Sequence, residues 1–130
     1  MAISLETRTL IFNKIKTCLG DFVPPLVVVT NSLDGSYEVI GNHPVPYGYD
    51  KKMVPGMFFA SIVHRKESVA FHFFPIYMNP GLLEFAPALN KFLKGKTCYH
   101  FKEESQVVET ELNLLLEEGI KVWRKLQYLV

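Results

Sequence analysis

The sequence is poor in cysteine, in net charge and in long apolar runs, and each shortage removes a class of protein. Two cysteines in 130 residues, Cys18 and Cys98, are too few for a disulfide framework, and no Cys-x-x-Cys pair serves zinc or redox chemistry. Reduced, largely buried thiols are expected, with a Cys18 to Cys98 disulfide as the alternative. No run of about 18 apolar residues occurs, so no membrane-spanning helix is expected. The first twenty residues intersperse Glu6, Arg8, Lys14 and Lys16 among apolar side chains, unlike the continuous apolar stretch of a secretory signal. The expected location is the cytoplasm. A net charge of +1 gives no whole-molecule field to gather nucleic acid or anionic lipid, so neither is an expected partner. Internal repeats and low-complexity segments are also missing.

What is present is the material of one packed domain spanning residues 1–130, with 48% hydrophobic residues and ten Phe, six Tyr and one Trp for a ring-rich core. The charge is unevenly spread. Residues 43–102 hold eight basic and three acidic side chains together with all four histidines, whereas residues 103–130 hold three basic and six acidic ones. The pattern fits an anion-facing side or, as the leading reading, a basic sheet edge over an acidic helix.

Ile11, Ile15, Cys18 or Leu19, and Phe22 recur at helical spacing, predicting a helix over residues 5–19 with Ser4 or Thr7 as its N-cap and Gly20 as its C-terminal stop. Pro24 and Pro25 stop it. The β-branched run from Leu26 to Thr30, the turn dipeptide Asp34-Gly35 and the segment Tyr37 to Ile40 predict a first hairpin. Residues 41–56, with Pro44, Pro46 and Pro55, predict a long covering loop. Met57 to His64 and Val69 to Tyr77 predict a second hairpin across Arg65-Lys66-Glu67-Ser68. Its register pairs Ser61 with His72, Phe59 with Phe74 and Val63 with Ala70, and on the other face Ala60 with Phe73 and Ile62 with Phe71. A proline-punctuated helical excursion from Asn79-Pro80 to Gly95 follows, then a fifth strand over Thr97 to Lys102. Val108, Leu112, Leu115, Gly119, Trp123 and Leu126 trace one face of a long last helix, with Gly119 as a close-packing point or a kink. The expected fold is α+β, a two-layer sandwich of an antiparallel five-stranded meander with N- and C-terminal helices on one face.

Chemistry is sparsely marked. His43, His64, His72 and His100 share no metal-ligand spacing, and neither a metal site nor a cofactor is expected. His72, between Phe71 and Phe73, is either a general base or ligand contact or a half-buried residue satisfied by Ser61 or a tyrosine. Ser61 beside His72 resembles a nucleophile beside a base, but lacks a third orienting group. Gly95-Lys96-Thr97 lacks the earlier glycine of a phosphate-binding loop. The leading expectation is a non-enzymatic module that takes a small molecule or a protein partner on a face formed by Ser61, His72, Phe59 and Phe74, roofed by Tyr47 and Tyr49. An enzyme using His72 as a base is a further alternative.

The segments Met57-Phe58-Phe59-Ala60, Val69 to Met78 and Gly95-Lys96-Thr97-Cys98-Tyr99-His100-Phe101-Lys102 resemble the YdhG-like family of small uncharacterised domains. The resemblance covers roughly residues 37–125 and implies a frataxin-like fold, a sandwich of helix, antiparallel meander and helix. It also implies, as a second functional reading, a frataxin-like iron-binding or iron-delivery role. That role requires an acidic first helix, where this chain has Glu6 and, beyond the helix end, Asp21. More carboxylates lie on and before the last helix, at Glu103, Glu104, Glu109, Glu111, Glu117 and Glu118.

Overall fold

In the computed structural model, residues 3–31, 35–47 and 49–130 are described. The first helix, α1 (Leu5–Gly20), starts where the Ser4 hydroxyl accepts the Thr7 amide, and it buries Ile11, Phe12, Ile15, Cys18 and Leu19. Strands β1 (Val27–Asn31) and β2 (Ser36–Ile40) form the first antiparallel pair. Asp34 of the expected turn lies outside the described residues. Strands β5 (Phe58–His64) and β6 (Val69–Phe73) form the second hairpin, turning where the Arg65 amide bonds the Ser68 carbonyl at 2.9 Å. Its register is the expected one, with Ser61 opposite His72, Ala60 opposite Phe73, Ile62 opposite Phe71 and Val63 opposite Ala70.

The architecture is α+β with an antiparallel sheet, but the sheet is larger than a five-stranded meander. Its strand order is β1-β2-β5-β6-β8-β7, where β7 is Leu93–Lys94 and β8 is Cys98–Phe101. The two-residue β7 is one correction. Gly95 makes its turn into β8 at a φ of +76°, a conformation that disfavours any side chain, so Gly95-Lys96-Thr97 is a hairpin turn. The second correction lies in the segment expected to be an irregular loop. There β3 (Val45–Tyr47) pairs antiparallel with β4 (Lys52–Val54) as a separate hairpin, with Pro46 opposite Met53. Proline is tolerated there because a two-stranded ribbon consists entirely of edges.

The excursion before β7 is a single four-residue helical turn, α2 (Pro75–Met78), followed by two 3-10 turns, Pro80–Phe85 and Leu89–Phe92. Prolines at 75, 80 and 87 fall too close together for a longer α-helix. The last helix, α3 (Glu109–Lys125), buries Leu112, Leu115, Leu116, Gly119, Ile120 and Trp123. Leu126, expected on the same face, caps the helix and is exposed.

Both long helices lie on one face of the sheet. Phe12 of α1 stacks on His64 with ring centroids 4.4 Å apart, and Trp123 of α3 meets Phe59 edge to face at 5.6 Å. Gly119 settles there as a close-packing point, since a β-carbon would come within 2.5 Å of the Phe73 ring. Between these layers sits the expected ring-rich core, in which Phe59, Phe71, Phe73, Tyr99, Phe101 and Trp123 are all fully buried. Cys18 and Cys98 are both free thiols.

Candidate functional site

Two β-bulges decide which side chains reach the open face of the sheet. Val28 pairs with Val39 but Thr30 pairs with Glu38, leaving Val29 as an extra residue on β1. Val39 pairs with Ala60 but Ile40 pairs with Phe58, leaving Phe59 as an extra residue on β5. An inserted residue inverts the alternation of faces beyond it. Phe59 therefore joins Ala60 in the helix-covered core, while Phe58 moves with Ile40 to the open face. This reverses the sequence expectation for Phe59, which placed it on the open face with Ser61 and His72.

The β3–β4 hairpin folds over that open face at the bulged end of the sheet. It hangs from a pinch between two backbones, where the Gly41 amide bonds the Met57 carbonyl at 2.8 Å and Gly56 lies against Gly41. A β-carbon on Gly56 would collide with the Gly41 carbonyl oxygen, and one on Gly41 with the Tyr128 carbonyl oxygen. Only glycine permits this approach. Beneath the hairpin is a cleft of about 540 Å³ lined by Val29, Glu38, Ile40, Phe58 and, from the roof, Tyr47, Val54, Pro55 and Gly56. Its volume falls in the range of small-molecule sites, and its walls are apolar around one carboxylate.

Of the six residues expected to form the site, Tyr47 lines this cleft and the others are dispersed. Tyr49 is fully exposed, and Phe59 is buried beneath Trp123. Phe74 packs among Phe58, Tyr77 and Trp123 at the end of the sheet, its amide bonded to the Phe59 carbonyl at 3.0 Å. Ser61 and His72 share the open face as adjacent members of a cross-strand row running Glu38, Ser61, His72, Cys98 and Lys94.

The polar partner of His72 is Cys98, with the sulfur 3.6 Å from His72 Nε2. The same sulfur lies 3.3 Å from His100 Nε2, and His100 Nδ1 lies 3.2 Å from the Ser68 hydroxyl. Burial lowers the pKa of His72, with Arg65 and His100 adding to the effect. His100 is lowered by burial, then by Arg65 and Lys94. The Cys98 thiol is pushed up by burial, with Arg65 pulling it the other way. All three groups are thus held in their neutral forms. Sequence reasoning weighed Cys98 and His100 only separately, as a thiol and as a metal-ligand candidate, and passed over Ser68. The available signal was the alternation Cys98-x-His100 on the expected fifth strand, which puts both side chains on one face.

Most of the remaining candidates are engaged elsewhere in the fold. His64 stacks on Phe12 at the helix layer, and His43 is exposed. Glu111 accepts the amides of Ala88 and Leu89 at 2.9 and 3.0 Å, Glu118 accepts Lys121 at 2.7 Å, and Glu109 lies 3.9 Å from Lys14. Among the described residues, no group of three or more His, Cys, Asp or Glu side chains is arranged to hold a metal ion, and no helix is long and apolar enough to cross a membrane. Comparison with protein families, curated proteins and solved structures gives no match.

Proposed function

We propose that this protein is a binding module whose ligand enters the cleft between the open sheet face and the β3–β4 hairpin. The observation that carries the reading is a single carboxylate, Glu38, among apolar walls contributed by Val29, Ile40, Val54 and Phe58. Such a site favours a small molecule with a flat apolar body and one cationic or hydrogen-bond-donating group. The body exchanges water for Phe58 and Tyr47, and the cation pairs with the half-buried Glu38 carboxylate. The two bulges that bring Val29 and Phe58 to this surface, and the glycine pinch that fixes the roof, preorganise the cleft and lower the ordering cost of binding.

Calorimetric titration with an aromatic amine and with the matching aromatic carboxylate tests the proposal. Saturable binding of the amine, weakened by Glu38→Gln and absent for the carboxylate, is the expected outcome. Equal behaviour of the two probes, or no saturable heat from either, contradicts it.

A further inference from the structure

At the other end of the open face, away from the cleft, we infer that Cys98, His100 and Ser68 form a thiol-exchange site that accepts small anionic disulfides. Cys98 is not an isolated cysteine. Its sulfur is 3.3 Å from His100 Nε2, whose opposite ring nitrogen is 3.2 Å from Ser68 Oγ. With the imidazole proton on Nδ1 donated to Ser68, Nε2 carries the lone pair and faces the S–H. This is a nucleophile, a base and a group that orients the base, in that order. The backbone enforces it. Cys98 and His100 are two residues apart on one strand and share a face, while the turn from Arg65 brings Ser68 alongside.

The exchange balances as follows. His100 Nε2 takes the Cys98 proton as the thiolate attacks one sulfur of R–S–S–R. The Cys98–S–S–R bond forms while the R–S–S–R bond breaks, and the departing RS⁻ takes the proton back from His100. Cys98 is oxidised and the incoming disulfide reduced by the same electron pair, giving a mixed disulfide and one free thiol.

Two features select the reactant. The surrounding charges are cationic, with Arg65 acting on Cys98, His72 and His100, and Lys94 directly opposite Cys98 in β7. Anionic disulfides are therefore drawn in and cationic ones repelled. Secondly, Cys18 belongs to α1 in the helix layer, is buried, and has its thiol pushed up to about 11 by burial, so it cannot resolve the adduct. The mixed disulfide persists until an external thiol removes it.

The test uses the full chain with dithiobis(nitrobenzoate), which carries carboxylates, and with cystamine, which carries amines, with peptide mass mapping to locate the adduct. Expected are modification of Cys98 with Cys18 spared, a preference for the anionic reagent at low salt at least tenfold greater than uncharged mercaptoethanol shows for the same pair, and loss of that excess at high salt. His100→Gln is expected to slow the neutral-pH reaction on the order of 100-fold. It also changes the pH profile. The parent rate rises as His100 loses its proton, below the ordinary imidazole range, whereas the variant rate rises only in the alkaline range where the thiol ionises by itself. Ser68→Ala is the milder variant, predicted to give a smaller slowing in the same direction while the protein stays folded at the assay temperature. An unreactive Cys98, a reagent preference no greater than that of mercaptoethanol, or parent-like pH profiles in both variants overturns the inference.

Discussion

Gly119 of α3 sits directly over the Phe73 ring of β6, so close that a β-carbon there would fall 2.5 Å from the ring's outermost carbon. The same point is 3.2 Å from the Phe59 ring, so a single missing side chain lets the helix settle onto two aromatics that also meet edge to face at 5.4 Å. Gly119→Ala gains helix propensity worth about 1 kcal/mol and loses more to overpacking, typically ~1–3 kcal/mol. A lower urea midpoint is expected. Combining it with Phe73→Leu recovers part of the loss, and strictly additive effects in that double variant would show that the two residues do not press on each other.

The bulge at Phe59 separates two adjacent phenylalanines into different jobs. Phe59→Ala removes a fully buried ring and is expected to cost about 3–5 kcal/mol of folding stability. Phe58→Ala, on the open face, costs far less but weakens binding in the cleft. Paired denaturant melts check this, and the reverse order of stability losses would mean that the alternation runs without a bulge.

Acid sensitivity follows from the two open-face histidines. His72 and His100 are both lowered from the ordinary 6.5, chiefly by burial. Below 6.5 the unfolded chain takes up protons at these sites before the folded protein does. Their contribution is therefore complete above pH 6.5 and is lost as the pH falls through the folded-state values. Melts from pH 7.5 to 5 should show a declining midpoint whose slope is reduced in a His72→Asn/His100→Asn double variant. An unchanged slope would assign the acid response to other groups.

Asn42 ties back Val130: its side chain accepts from the Val130 amide at 2.8 Å and donates to the Val130 carbonyl at 3.0 Å. Asn42→Ala removes both bonds at a cost of ~0.5–1.5 kcal/mol. The sharper readout is amide hydrogen exchange at Val130, expected to be faster in the variant than in the parent.

The sequence was most informative where interactions are local. The register of β5 with β6 was legible because the four residues from Arg65 to Ser68 join two strands of alternating pattern. Ser4 at the start of α1 and Gly119 in the packed face of α3 were legible for similar reasons, since each acts within a few residues of chain. The bulge at Phe59 was not, because periodicity alone does not reveal where β2 holds one residue fewer than its partner. Pro46 hid β3, since proline argues against a strand wherever the strand's edges are unknown. The pairing of His72 with Cys98 joins residues 26 apart across the helical excursion, so Ser61, its partner across a short turn, was the only neighbour that local reasoning supplied.

The central claim is that a ligand enters beneath the β3–β4 hairpin and is selected by Glu38. An amide-resolved NMR titration with an aromatic amine tests it most directly. The account predicts saturable shifts concentrated at Val29, Glu38, Ile40, Val54, Gly56 and Phe58, reduced in Glu38→Gln, with the His72 and His100 region left in place. Shifts concentrated elsewhere, or a titration that Glu38→Gln leaves unchanged, would contradict it.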